Sequence, residues 1–116
     1  MKKGFMFLIS LFIANPLIAQ TLNTPTYKIV ITCQSPEYEV GCSKATYQGT
    51  NKKTGSTITL QGSQVMSLCA DGVTPCHSLG YKFINDKTVY FVSEDGILTV
   101  TAGSKELLNE TGQWDN

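Results

Sequence analysis

The residues able to do chemistry gather in two short stretches of the chain. Cys33 and Cys42 bracket the first, and Cys69 and Cys76 bracket the second, with the single histidine, His77, directly after it. Such cysteines have two ordinary uses, a metal site or a disulfide. Zinc favours cysteine pairs two to four residues apart with help from histidine. The spacings here are nine and seven, and one histidine is too few, so no metal and no cofactor is expected. Four cysteines allow three disulfide connectivities. The local pairs Cys33–Cys42 and Cys69–Cys76 are favoured because each closes a loop of turn residues: Ser35, Pro36 and Gly41 in the first, Asp71, Gly72 and Pro75 in the second. Closing a loop of that size is worth about 2.5 kcal/mol in the chain-entropy model.

Catalysis has few candidates. A hydrolytic triad would draw on Ser67 or Ser78, His77 and Asp71. Neighbours in one turn cannot aim at each other as a triad requires, and no Gly-x-Ser-x-Gly elbow is present. The close carboxylates are Glu37 with Glu39, and Glu94 with Asp95. Neither pair has the apolar setting that raises a carboxyl pKa for general-acid work, and neither stretch has the ligand count of a calcium loop. Glu94-Asp95-Gly96 reads as a hairpin turn. Asn109-Glu110-Thr111 matches a glycosylation sequon, a short pattern that often arises by chance. The residues point to binding and not to an enzyme.

Composition narrows the setting. The chain has 116 residues, enough for one domain. Lys2 and Lys3 precede an almost wholly apolar run from Gly4 to Ala14, then Asn15-Pro16 and Leu17-Ile18-Ala19. That order is a secretory signal, expected over residues 1–19, with a single secreted domain over residues 20–116. The apolar run is too short to serve as a comfortable membrane span. Export places the cysteines in an oxidising compartment, periplasmic or secreted, and supports the disulfide reading. Removing Lys2 and Lys3 leaves seven basic against nine acidic residues, a net charge of −2, and the chain has no arginine. Nucleic-acid binding needs clustered cations to neutralise phosphates, so that class is excluded.

The elements that must position these residues are strands. Tyr27 to Cys33 alternates Tyr27, Ile29, Ile31 and Cys33 against Lys28, Val30 and Thr32. Residues 44–61 read as a hairpin turning at Asn51–Gly55, and Gly62 to Leu68 is open between a strand and a helical turn. From Gly80 to Val100 three β-rich runs alternate with turn residues, which makes an antiparallel meander. Glu106–Asn109 reads as a last edge strand. Residues 20–26 carry no period and read as a leader. Tyr38 and Trp114 lie in polar, non-strand contexts and are the aromatics expected to be exposed. No sustained helical period is present. The sum is an all-β fold, a small antiparallel β-barrel or sandwich with two local disulfides.

The run His77-Ser78-Leu79-Gly80-Tyr81, then Thr88–Val92, then Gly96–Val100, resembles the C-terminal half of the periplasmic C-type lysozyme inhibitors. That family carries a Ser-Gly-x-x-Tyr loop, an aromatic strand, a lysine-bearing turn and a closing strand. The resemblance implies a small antiparallel barrel that enters the lysozyme cleft with its serine loop. This chain has Leu79 between Ser78 and Gly80, an acidic turn at Ser93-Glu94-Asp95, and no cysteine after Cys76. Ser78 is the contact residue that transfers.

The expectation is therefore an exported protein-binding or inhibitor module, its partner lysozyme or an envelope protein. The loop Asp71–Gly80, stapled by Cys69–Cys76, would be the contact element, with Asp71, His77, Ser78, Gly80 and Tyr81 as the partner-binding residues. The alternative is an accessory or structural subunit of an envelope or secretion assembly, joined through the edge strand Glu106–Asn109.

Overall fold

The computed structural model describes residues 18–34 and 41–115. Residues 1–17 of the expected signal segment, together with Glu37, Tyr38 and Glu39, lie outside the described residues. Alternation and β-branching along the chain give nine strands and, among the described residues, no helix. They are β1 (Ile18–Asn23), β2 (Tyr27–Cys33), β3 (Ala45–Asn51), β4 (Thr57–Leu68), β5 (Pro75–Asn85), β6 (Thr88–Ser93), β7 (Ile97–Ala102), β8 (Lys105–Thr111) and β9 (Gln113–Asp115). They form one antiparallel meander in the order β8-β7-β6-β5-β4-β3-β2-β1-β9, curled into a nearly closed barrel.

Two expectations are corrected, and one open choice is decided. Residues 20–23 are not a leader but most of β1, which pairs with β2 from Ile18↔Cys33 to Asn23↔Lys28. Only Leu22 of that stretch is a buried hydrophobic, so the period is too sparse to read. Residues 62–68 continue β4 as a strand, because β5 supplies a partner from Gly62↔Phe83 to Leu68↔Pro75. Trp114 is half-buried, packs against the core and donates from Nε1 to the Glu94 carbonyl at 2.9 Å. An indole at a polar chain end is drawn inward when its N–H finds an acceptor.

The core is the inner face of the barrel. Ile29 and Ile31 of β2, Ala45 and Tyr47 of β3, Leu60 of β4, Tyr81 and Phe83 of β5, Val92 of β6, and Leu98 and Val100 of β7 are buried in it. Their period of two is the strand pleat. Tyr47 sits at the middle, with ring centroids 5.2 Å from Phe83 and 5.4 Å from Tyr90, both tilted. Gly49 permits this, since a Cβ there would lie 2.8 Å from the Tyr47 ring.

Closure depends on one residue. β8 pairs with β7 and β9 pairs with β1, and only Gly112 separates them. A Cβ at Gly112 would stand 2.4 Å from the Asn23 carbonyl oxygen. The seam is fastened by side chains as well. Thr26 donates to Glu110 from its N–H (3.2 Å) and its hydroxyl (2.5 Å). Lys52 Nζ donates to the Thr24 carbonyl at 2.6 Å. Burial acts to raise the Glu110 pKa, but the hydrogen bonds from Thr26 and Thr24 and the Lys52 charge outweigh it and hold the carboxyl low.

Candidate functional site

The second cysteine stretch is the tip of an arm. β3 covers β4 only as far as Ala45↔Gly62, and β6 covers β5 only from Gly80 onward. The outer halves of β4 and β5 therefore pair with each other, Met66↔Ser78 and Ser67↔His77, while Gln64 N–H reaches the Cys42 carbonyl at 2.7 Å. The register shifts between Val65 and Met66 leave Leu79 as an extra residue. Gly80, at φ 146°, carries the bulge, and a Cβ there would meet the Val92 carbonyl oxygen at 2.3 Å. The residue between Ser78 and Gly80 is thus accommodated by a β-bulge, which twists the arm away from the sheet.

The expected disulfides are present. Cys69–Cys76 staples the tip and Cys33–Cys42 ties the end of β2 to the chain before β3. No described cysteine is free. Within the tip, Cys69 N–H donates to the Thr74 carbonyl at 2.8 Å and Gly72 N–H to the Cys69 carbonyl at 2.9 Å. Asp71 Oδ1 accepts from the Val73 and Thr74 N–H groups, both at 2.9 Å, and Oδ2 accepts from the Thr74 hydroxyl at 2.5 Å. These bonds, the Thr74 hydroxyl first, hold the exposed carboxyl down at about 2. Asp71 organises the turn from within.

The arm carries three of the five large apolar side chains exposed among the described residues, the others being Ile84 and Leu107. Leu68 is 56% exposed, Val73 78% and Leu79 44%. Ser67 Oγ lies 2.9 Å from His77 Nδ1 and 3.1 Å from Nε2. The Asp71 carboxylate is committed to Val73 and Thr74 and does not orient the exposed Ser67–His77 contact. Ser78 donates its hydroxyl to the Glu94 carboxylate, and Glu94 N–H donates to the Leu79 carbonyl at 3.2 Å. The serine loop and the acidic turn of the sequence reading are thereby one surface.

Two of the five expected contact residues are not on it. Tyr81 is buried in the core, where desolvation and then the Glu94 charge push its pKa up. Gly80 is buried at the bulge. The strand pleat turns Tyr81 inward, and its place is structural. Asp71 and His77 are exposed and Ser78 is half-buried. The exposure of Leu68, Val73 and Leu79 was not singled out, because one apolar residue by itself does not show which way the chain turns it.

A second feature has no counterpart in the sequence reading. A cavity of about 370 Å³ opens beside β8, lined by Tyr27, Tyr47, Tyr90, Ile58, Val100 and Leu108 among others. Its three tyrosines come from β2, β3 and β6.

Comparison of the chain with protein-family models, curated proteins and solved structures finds no match. Among the described residues no helix is long and apolar enough to cross a membrane. The two disulfides fit an oxidising, extracytoplasmic setting.

Proposed function

We propose that the protein is an exported protein-binding module, acting as an inhibitor, whose stapled β4–β5 arm docks on a soluble partner. The observation that carries this reading is the arm itself. Leu68, Val73 and Leu79 stand exposed on a hairpin fixed by Cys69–Cys76 and by the Asp71 turn. Apolar side chains held on a rigid loop are costly in water and lose little entropy on docking. Ser78 and Glu94 add a polar rim. The acidic turn suits a cationic partner, and a C-type lysozyme is the concrete version, in keeping with the resemblance around Ser78.

The test is a titration of the oxidised mature chain against C-type lysozyme, following cell-wall lysis and binding heat together. One-to-one saturable inhibition is expected, weakened by Val73→Ser and Ser78→Ala. No binding at tens of micromolar would remove lysozyme as the partner.

A second reading has its own observation. β8 is the terminal strand of the sheet order and, among the described residues, has a strand partner on its β7 side alone, so the backbone of its other edge offers a place for strand addition by a partner in an envelope assembly. Crosslinking into a large envelope complex, with no one-to-one soluble complex, would favour this reading.

A further inference from the structure

The cavity beside β8 contains an unusual polar group. Tyr47 is 1% exposed, lines the cavity, and makes no side-chain hydrogen bond to any described residue. Buried hydroxyls almost always have a partner, because a lost water bond costs more than most contacts return. Tyr27 and Tyr90 line the same space and lie close enough to influence the titration of Tyr47. Desolvation, with those two phenols, pushes the Tyr47 pKa up, so the hydroxyl keeps its proton and remains a donor.

The rest of the wall sets the ligand's character. Ile58, Leu98, Val100, Leu107 and Leu108 supply apolar surface, and Asn51, Ser56 and Thr57 supply neutral polar groups. No lining residue is charged. A buried ionic ligand would lack a counter-charge, which is strongly unfavourable. The volume, about 370 Å³, lies within the usual range for small-molecule sites. Leu107 of β8, which lines the cavity too, is half-exposed.

We propose that this cavity binds a small, uncharged, largely apolar molecule bearing a hydrogen-bond acceptor, which the Tyr47 hydroxyl engages. The site is separate from the arm, so it stands or falls independently of the partner reading.

The probe is prodan, an uncharged naphthalene ketone whose emission shifts to the blue in an apolar site. The protein is the oxidised mature chain. Saturable one-to-one binding is expected, with the ketone accepting from Tyr47. Tyr47→Phe should weaken it about tenfold, the worth of one buried hydrogen bond, without lowering the urea midpoint. Ile58→Trp should fill the cavity and abolish binding, with folding checked by circular dichroism. The arm variant Val73→Ser should bind as wild type. A naphthalene sulfonate and a naphthyl trimethylammonium should bind at least tenfold more weakly. The proposal is overturned by an absence of saturable binding, by equal binding in Tyr47→Phe and Ile58→Trp, or by tighter binding of either charged probe.

Discussion

The Ser78 hydroxyl donates to the Glu94 carboxylate across the junction between β5 and the β6–β7 turn. With the Glu94 N–H bonded to the Leu79 carbonyl, it tethers the arm where β6 cover ends. Ser78→Ala and Glu94→Gln should each lower stability by under about 1 kcal/mol, and the double variant by less than their sum. Urea unfolding of the four proteins measures the coupling. Strict additivity would mean that the two side chains do not interact in solution.

The Asp71 carboxyl should titrate near 2, held down first by the Thr74 hydroxyl and then by the Thr74 and Val73 amides. A folded pKa below the unfolded one makes the contribution of the group full above the ordinary carboxylate range. That contribution fades as pH falls toward 2. Carbon-detected NMR should find Asp71 still ionised at pH 3, and Thr74→Val should raise its midpoint. A wild-type midpoint near 4 would contradict the turn geometry.

The two disulfides should differ in their effect. Replacing Cys69 and Cys76 by serine should cost at most about 2.5 kcal/mol and leave the barrel intact, since the tip lies beyond the strands that enclose the core. Replacing Cys33 and Cys42 should cost more, because Cys42 is itself buried in the core. Chemical denaturation with circular dichroism decides the order. A larger loss for the tip pair would contradict it.

Gly112→Ala should open the seam. The added methyl would meet the Asn23 carbonyl oxygen at 2.4 Å, costing about 2 kcal/mol or more. Trp114 fluorescence is the readout, because β9 carries that indole against the core. A red-shifted emission is expected. Unchanged emission and stability would show that the seam tolerates a side chain.

Much of this fold was legible. The alternation in Tyr27–Cys33 placed β2, the turn residues at Asn51–Gly55 and Glu94–Gly96 placed hairpins, and the loop composition selected the local cysteine pairs. Of the candidate surface, Asp71, His77 and Ser78 were found on the arm. Tyr81 was not, because a resemblance assigns a role without saying which face of the pleat a residue occupies. The cavity was invisible, because Tyr27, Tyr47 and Tyr90 are far apart in the chain and meet only through the curl of the sheet.

Local information determined the strand content, the turns and the disulfide pairs. These depend on side-chain alternation, on backbone preferences and on the short span each disulfide closes. The tertiary structure alone decided that Gln20–Asn23 is a strand, that β4 and β5 outrun their neighbours, and that Trp114 closes against β1 through Gly112. It also decided that a phenol from the middle of β3 would be buried without a hydrogen-bond partner among the described residues. Each of these rests on contacts between residues distant in sequence, whose energies appear only when the sheet curls and its two ends meet.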